Sequence, residues 1–374
     1  MYPARLQRLR AAMAQAKFDC VAAIAGPNLY YLTGLSFHLS ERPTTGFFPL
    51  TGDPVIVAGG LEESKVVGGA PYPVRGCYYT DAGGPVTAYR EAAQALRLTA
   101  RGGGVARLGV ESRRMRVMEL RLIEDAFLNP RIEAAEGIFA ALRMTKDEQE
   151  LALMRTAVDI AERAVQATIQ TIRVGQTERE IAAELVVQTL RAGSDTELPF
   201  APIVASGPNS ALPHAAVTDR AIQRGDLLTL DWGAAHGGYF SDLTRTYAIG
   251  EIDPELIKIY ELVKAANAAA LKASRPGVSA AEVDAAARQV ITAGGYGEYF
   301  VHRVGHGLGL EGHEDPSMHG QNETPLEPGM TYTIEPGIYV PGKGGVRIED
   351  NVVVTAQGAE SLGQLSHDLT VIGG

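Results

Sequence analysis

Cysteine is scarce in this chain: Cys20 and Cys77 are the only two among 374 residues. No disulfide framework or cysteine-rich zinc site is therefore indicated. A run of about 18 apolar residues, which a membrane-spanning helix requires, is also missing. The N-terminal segment carries charges throughout and lacks the apolar core of a signal peptide. These absences predict a cytoplasmic protein.

An excess of positive charge is missing as well, since the formal net charge is −10. This balance argues against nucleic acid, or an anionic membrane, as the main partner. Apolar residues make up 45% of the chain and charged residues 21%, which is ordinary for a globular protein.

The chain is longer than a single hydrophobic core usually supports, so two domains are expected. Residues 1–143 contain the apolar segments "CVAAIAG" and "PVIVAG" between helical stretches, which predicts an α/β N-terminal domain. Residues 144–374 alternate capped helices with segments such as "DLLTLDWGAA" and "MTYTIEPGIYV". That alternation predicts an α+β C-terminal domain built from hairpins and packed helices.

Helix starts in the second domain are predicted by residues that satisfy the free backbone amides of a first turn. The predicted starts are capping boxes at Thr145 with Glu148, Thr177 with Glu180 and Ser279 with Glu282, and the N-cap Asp253 followed by Pro254.

The stretch "DWGAAHGGYFSDLTRT", residues 231–246, holds two aspartates around a glycine-marked turn. A two-residue turn at His236-Gly237, or a four-residue turn around it, places Asp231 opposite Asp242. Opposed side chains in an antiparallel pair share a face, with Cβ atoms roughly 4.5–5.5 Å apart. The two acids are therefore expected to point to the same place.

A later hairpin repeats this arrangement. A three- or five-residue loop centred on Gly342 places Glu335 opposite Glu349. Solvated acids on exposed strands are the ordinary interpretation, but like charges directly opposed among apolar neighbours destabilise a sheet. A bound cation removes the repulsion, and two cations suit four carboxylates better than one. The sequence therefore predicts a metal site.

Histidine strengthens the metal interpretation, because six of the eight histidines fall between positions 214 and 319. The densest cluster is "HRVGHGLGLEGHEDP", whose glycines let backbone and imidazoles approach closely. One imidazole with four carboxylates makes a fairly hard donor set. Such a set favours Mn²⁺, with Co²⁺, Zn²⁺ or Fe²⁺ as alternatives.

The motifs "DWGAAHGGYFSDLTRT", "HRVGHGLGLEGHEDP", "LEPGMTYTIEPGIY" and "GVRIEDNVVVT" resemble the metal-binding motifs of the pita-bread metallopeptidases. Within that family they resemble the Xaa-Pro peptidase branch, which includes prolidase and aminopeptidase P. "PNLYYLTG" resembles the creatinase-type N-terminal domain found with them. The resemblance covers essentially the whole chain and implies a pita-bread fold for the second domain.

The resemblance implies a dinuclear metal centre whose five ligands are Asp231, Asp242, His306, Glu335 and Glu349. By position, Asp242 and Glu349 would bridge the two ions, Asp231 would complete one site, and His306 with Glu335 would complete the other. The centre would activate a shared water for attack on the Xaa-Pro bond.

Further roles come from the same resemblance. Glu335 is expected to take the proton of the nucleophile and pass it to the leaving proline nitrogen, and His313 to steady the tetrahedral intermediate. His214 and His302 match histidines that line the substrate pocket.

Two more residues carry predictions from their positions. Arg347 could pair with Glu349 or with a substrate carboxylate, and Tyr339 either packs locally or touches substrate.

The motifs do not separate prolidases, which cut dipeptides, from aminopeptidases P, which accept longer peptides. Some relatives recognise the free carboxylate with an arginine between the histidine cluster and the first glutamate, but "EDPSMHGQNETPLEPGM" contains no arginine. Arg42 in "SFHLSERPTTGFF" is a candidate substitute, and a surface arginine is the alternative. Dipeptide cleavage is preferred slightly.

Relatives commonly dimerise, so a homodimer is expected. The alternatives are a metal-free creatinase-like amidinohydrolase, a methionine aminopeptidase and an inactive pita-bread protein that binds peptides or proteins. Retention of all five ligands argues against the first and the last. The additional N-terminal domain argues against the second.

Overall fold

The computed structural model describes residues 1–98 and 105–373. The chain forms two compact units, Met1–Arg143 and Met144–Gly374. Both predicted classes are confirmed, an α/β first domain and an α+β second domain. No helix within the described ranges is long and apolar enough to cross a bilayer.

The first unit is one mixed sheet with helices packed on it. Its strands are β1 (Cys20–Ile24), β2 (Thr45–Pro49), β3 (Val55–Gly59), β4 (Arg75–Tyr79), β5 (Arg107–Val110) and β6 (Arg131–Ala134). Its helices are α1 (Tyr2–Ala16), α2 (Pro27–Thr33), α3 (Glu63–Gly69), α4 (Val86–Leu96), α5 (Val117–Ala126) and α6 (Glu136–Met144).

The strand order is β4-β3-β2-β1-β5-β6. Strand β2 runs antiparallel to both β1 and β3, whereas the other neighbours are parallel. Both predicted strands, "CVAAIAG" and "PVIVAG", are confirmed as β1 and β3. The core of this unit includes Phe47, whose ring centroid lies 6.1 Å from that of Tyr89 and 5.3 Å from that of Phe127.

The second unit contains α7 (Glu148–Ile169), α8 (Glu178–Arg191), α9 (Pro254–Ala273) and α10 (Ala280–Ala293). Its first group of strands is β7 (Ile203–Ser206), β8 (Leu227–Trp232), β9 (Ala235–His236), β10 (Tyr239–Phe240), β11 (Leu243–Ile249), β12 (Gly305–Gly307) and β13 (Glu314–Met318). The remaining strands are β14 (Thr331–Ile334), β15 (Gly337–Val340), β16 (Gly344–Arg347), β17 (Asp350–Val354), β18 (Ala359–Ser361) and β19 (Val371–Ile372).

Two larger sheets and two short hairpins result from these strands. The larger sheets have the orders β19-β11-β8-β7 and β13-β12-β14-β17-β18, and the hairpins are β9-β10 and β15-β16. Helices α9 and α10 pack on the strands through buried side chains such as Val263 and Ile291, with Ile334 and Ile348 on the strand side. Because side chains alternate along a strand, Glu335 and Glu349 are directed away from this core.

The predicted helix starts are confirmed in three places out of four. Thr177 and Ser279 form reciprocal capping boxes, and Asp253 caps α9. The prediction at Thr145 was wrong, because α7 is capped by Asp147, which accepts hydrogen bonds from the backbone N–H groups of residues 149 and 150. Thr145 instead bridges to Met330, which keeps this segment extended.

The pairing predicted for the first hairpin was wrong by two residues. The turn is formed by Gly237 and Gly238, whose φ values of 58° and 79° are those a two-residue hairpin turn requires. Asp231 is therefore opposed to Thr244 rather than to Asp242. Since side chains alternate with a period of two, the shift leaves Asp242 on the face of Thr244 and hence of Asp231.

The register of the second hairpin is as predicted. The loop between β15 and β16 is centred on Gly342, and Gly337 pairs with Arg347. Strands β14 and β17 continue the same register, with Ile334 paired to Asp350. Glu335 and Glu349 lie in the short interruption between these two ladders, at opposed positions.

Candidate metal centre

The five residues predicted as metal ligands lie on or beside strands of the second unit. Asp231 is on β8, Asp242 directly precedes β11, His306 is on β12, Glu335 directly follows β14, and Glu349 directly precedes β17. Glu349 joins the two larger sheets, because its backbone N–H donates to the carbonyl of Thr244 at 3.0 Å. Strand ends from both sheets therefore meet at one point.

The donor atoms converge at that point. One ligand atom each from Asp242, His306 and Glu349 lies within 4.8 Å of the other two. His306 Nε2 is 3.6 Å from Asp242 Oδ2 and 3.3 Å from Glu335 Oε1. Asp231 lies close enough to raise the pKa of both Asp242 and Glu349 by charge repulsion, in addition to their desolvation. The structure thus brings all five residues together.

His306 is arranged as a neutral ligand. Its Nδ1–H donates to the carbonyl of Gly307 at 3.1 Å, which leaves the lone pair of Nε2 directed at the carboxylates. Burial lowers the pKa of His306 to about 3, so the ring is uncharged at neutral pH. The flanking glycines are required by space, because a Cβ on Gly305 would lie 1.9 Å from the carbonyl oxygen of Thr333.

The four carboxylates carry negative charge that the protein offsets only in part. Burial, together with repulsion from neighbouring acids, raises the pKa of Asp242 and Glu349 well above their usual values. Burial also raises the pKa of Asp231, and that of Glu335 to about 7. Oxygen Oδ1 of Asp231 is buried and has no hydrogen-bond partner among the described residues.

This donor set fits a divalent cation. Four converging carboxylates and one neutral imidazole provide hard donors and a strongly negative potential, and the unpartnered Asp231 oxygen is free to coordinate. A cation would reverse the electrostatic penalty that burial imposes on these acids.

Three polar residues that sequence reasoning missed hold these ligands in place. Thr244 donates its hydroxyl to Glu349 Oε2 at 2.6 Å, and Thr333 donates to Glu335 Oε1 at 3.2 Å. Asn351 accepts from the backbone N–H of Asp242 at 3.0 Å. Thr244 and Thr333 each lie two residues from a ligand, Asp242 and Glu335 respectively. A period of two along the strand could have indicated both.

One of the two roles predicted for Arg347 was an ion pair with Glu349, and the described residues contain no such pair. The buried guanidinium donates to Asp231 Oδ2 at 2.6 Å, to the hydroxyl of Tyr339 at 2.9 Å and to Thr244 Oγ1 at 3.1 Å. It also donates to the carbonyl of Pro213 at 3.1 Å. Arg347 therefore fixes the orientation of Asp231.

Tyr339 and His302 continue this network. The Nδ1–H of His302 donates to the carbonyl of Arg303 at 2.7 Å, which leaves Nε2 to accept from the Tyr339 hydroxyl at 2.9 Å. Burial lowers the pKa of His302 to about 4, so this ring is also neutral. Tyr339 is buried, and its hydroxyl links His302 to Arg347 through hydrogen bonds. Its role is therefore more than local packing.

The other three residues predicted for the site, His313, His214 and Arg42, lie in different surroundings. The ring centroid of His313 lies 3.9 Å from that of His306, and His313 is exposed. His214 is exposed, and it opposes, less than Arg347 does, the rise that burial causes in the pKa of Asp231. Arg42 belongs to the first unit, where it donates two hydrogen bonds of 2.8 Å to Asp81 and its side chain is 40% exposed.

Comparison with known proteins agrees with this site. Metallopeptidase family M24 matches residues 152–356, and the Creatinase/Prolidase N-terminal domain matches residues 5–145. The chain belongs to metallopeptidase family M24 and is a metallopeptidase. The family implies divalent metal cofactors, for which the centre described above is the candidate site.

Individual relatives cover nearly the whole chain. The probable dipeptidase PepE of Mycobacterium tuberculosis is 37% identical over 375 residues, which span 100% of this chain and 97% of that protein. The solved prolidase from Thermococcus sibiricus is 32% identical with a TM-score of 0.92, covering 100% of this chain and 99% of that one. The X-Pro aminopeptidase from Thermotoga maritima is 31% identical with a TM-score of 0.85, covering 97% and 100%.

Proposed function

We propose that this metallopeptidase hydrolyses the Xaa-Pro bond of dipeptides with two divalent metal ions. The observation that carries the proposal is the grouping of ligand atoms from Asp242, His306 and Glu349 within 4.8 Å of one another, with Glu335 Oε1 3.3 Å from His306 Nε2. Asp231 and Glu349 flank Thr244, and Asp231 Oδ1 has no hydrogen-bond partner among the described residues. Relatives named prolidase and X-Pro aminopeptidase support the choice of bond.

The proposed ligand set is Asp231, Asp242, His306, Glu335 and Glu349. Asp242 and Glu349 would be shared by both ions, Asp231 would complete one site, and His306 with Glu335 would complete the other. The predominance of carboxylate oxygen supports Mn²⁺ as the ion, and Co²⁺, Zn²⁺ and Fe²⁺ are the alternatives. The catalytic unit in this proposal is residues 144–374.

Divalent ions at this site would lower the pKa of a water molecule to near neutrality and polarise the scissile carbonyl. Glu335 accepts the proton of the attacking water and delivers it to the proline nitrogen, which must be protonated to leave. Its accessibility supports this role, because its side chain is 16% exposed whereas those of Asp231 and Asp242 are 12% and 9% exposed. His313, which is exposed beside His306, stabilises the developing negative charge.

Substrate contacts are assigned to His214, His302 and Tyr339. His214 is exposed, and the hydrogen bond between His302 and Tyr339 fixes both side chains near Arg347. Arg347 itself is assigned to holding Asp231, since four of its hydrogen bonds are already made within the unit. Arg42 is the other arginine proposed for substrate binding, and it would have to exchange its ion pairs with Asp81 and Glu41 for a substrate carboxylate.

Aminopeptidase activity on longer Xaa-Pro peptides is the second candidate, because a solved relative of nearly equal coverage bears that name. A homodimer and a cytoplasmic location stay predictions. Size-exclusion chromatography with light scattering would test the first of them.

The function can be tested on metal-stripped protein with Mn²⁺ added back. We expect Mn²⁺-dependent release of proline from Ala-Pro and much slower cleavage of Ala-Pro-Ala. Replacing Asp242 by Asn should remove activity and lower Mn²⁺ content, because a ligand shared by both ions is weakened. Glu360→Gln is the matched control, since Glu360 makes an exposed ion pair with Arg155 at 2.7 Å and should leave activity unchanged.

The outcomes separate the alternatives. Preferential cleavage of the tripeptide would establish the aminopeptidase activity instead. Absence of both metal binding and cleavage would contradict the proposal and leave a peptide-binding protein.

A further inference from the structure

Arg303 is a half-buried cation with little to neutralise it. Its Nη1 donates to the hydroxyl of Ser317 at 2.8 Å. Among the described residues the guanidinium makes no other hydrogen bond and no ion pair, so most of its donors are available to a ligand. A half-buried guanidinium with free donors is a strong site for a planar anion such as carboxylate.

The position of Arg303 is beside the metal centre. It precedes His306 by three residues, and Ser317, to which its guanidinium donates, is paired with His306 across β12 and β13. Paired residues of an antiparallel ladder have their side chains on the same face. The guanidinium is therefore held next to a proposed metal ligand.

The backbone on both sides of Arg303 is held firmly. Arg288 donates to the carbonyl of His302 at 2.8 Å, and the N–H of Val304 donates to Asp284 Oδ1 at 2.9 Å. Asp284 and Arg288 are paired with each other on α10. The backbone of Arg303 is thereby held in place before a ligand binds, which lowers the entropic cost of binding.

Other arginines considered for substrate binding are already engaged. Arg347 is buried and bonded to Asp231, Tyr339 and Thr244. Arg42 is bonded to Asp81 and Glu41. Of these three arginines, only Arg303 both lies beside the metal centre and has guanidinium N–H groups without a hydrogen-bond partner among the described residues.

We propose that Arg303 binds the free carboxylate of a dipeptide substrate and so restricts the enzyme to short substrates. The inference rests on the proposed Xaa-Pro hydrolysis and names the residue that selects substrate length. Arg303 would do the work of the arginine that the segment "EDPSMHGQNETPLEPGM" lacks. Recognition is by paired hydrogen bonds from the guanidinium to both carboxylate oxygens.

The kinetic test compares Ala-Pro with its C-terminal amide, which has no carboxylate, on the Mn²⁺-loaded enzyme. Arg303→Gln should raise KM for Ala-Pro about 10- to 100-fold, the loss typical of a charge-assisted pair, with kcat little changed. It should leave cleavage of the amide as it is. Arg303→Lys should restore only part of the loss, because lysine cannot form the paired bonds. Arg155→Gln, an exposed arginine in the same unit, is the matched control.

Two outcomes of this experiment would overturn the assignment. Equal loss on Ala-Pro and its amide would make Arg303 a structural residue. Asp-Pro is measured in the same assay, and a loss on Asp-Pro without a loss on Ala-Pro would assign the guanidinium to an acidic side chain of the first residue instead.

A binding measurement keeps the inference testable without turnover. Calorimetry should show proline binding about tenfold more tightly than prolinamide to the Mn²⁺-loaded protein, with the difference lost in Arg303→Gln. Equal affinities for the two compounds in the unsubstituted protein would refute the role of Arg303. Tight, Arg303-dependent proline binding without any peptide cleavage would instead reject the proposed hydrolysis and leave the carboxylate site standing.

Discussion

Two neighbouring acids show how the surroundings of a residue decide its role. Burial opposes ionisation of Asp350, but Arg245 and His367 more than offset it and hold its pKa below the usual value. Its carboxylate bonds Arg245 at 2.7 Å and His367 at 2.8 Å. Glu349, the preceding residue, has the Thr244 hydroxyl as its only side-chain hydrogen-bond partner in the described part of the chain, and burial with repulsion from Asp242 raises its pKa well above normal. The protein neutralises Asp350 but not Glu349, which suits Glu349 to the proposed role of metal ligand.

Arg347 should be essential to the stability of the metal-free protein. Replacing it with Met removes the partner of the buried Asp231 carboxylate and should lower the free energy of unfolding by about 3–5 kcal/mol. Urea unfolding would measure the change. The control is Arg42→Met, which removes an exposed, solvent-screened pair and should lower the free energy of unfolding much less. Equal effects of the two substitutions would refute the role given to Arg347.

The strand β12 shows how glycine permits close approach of an element to its neighbours. Cβ atoms on Gly305 and Gly307 would lie 1.9 Å from the carbonyl oxygen of Thr333 and 2.2 Å from that of Asp315. The β12 strand can therefore fit between β13 and β14 only without side chains at these positions. This fit is what carries the imidazole of His306 to the carboxylates.

Gly305→Ala should displace β12 and weaken the centre. We expect the free energy of unfolding to fall by about 1–3 kcal/mol or more, as overpacking typically costs, together with a loss of Mn²⁺ affinity. Denaturant unfolding and metal titration would measure both quantities. Gly312→Ala, in the same segment but with open space around its Cβ, should change neither appreciably. Similar losses from both alanines would show that packing of β12 is not the cause.

At the scale of the whole molecule, each unit has its own hydrophobic core and its own natural probe. Trp232 is the single tryptophan of the chain and is fully buried in the second unit. Both cysteines, Cys20 and Cys77, are buried in the first unit. Tryptophan fluorescence therefore reports unfolding of one unit, and thiol labelling reports the other.

Mn²⁺ should stabilise the second unit selectively. At a free concentration of about 100 times Kd, binding adds about 2.7 kcal/mol to the free energy of unfolding. The thermal midpoint seen by Trp232 should then rise by about 5–10 °C. The temperature at which Cys20 and Cys77 become reactive should not move. A common shift of both probes would contradict independent stabilisation, and no shift of either would argue against the metal centre.

The sequence by itself determined the fold classes, most helix starts of the second unit and the face on which the acids lie. Alternation with a period of two places Asp242 and Thr244 on one face in any register that the turn glycines allow. The symmetric position of Gly342 likewise predicted that Glu335 opposes Glu349. These features depend on near neighbours in the chain, so local chemistry is enough to predict them.

Only the tertiary structure decided which groups meet across distant segments. The hairpin turned at Gly237–Gly238, one residue later than predicted, because consecutive glycines accept the positive φ angles of that turn. The bond of Arg347 to Asp231 joins residues 116 positions apart, and that of Thr244 to Glu349 joins residues 105 apart. Such contacts result from the packing of one sheet against another, and no local pattern in the sequence specifies them.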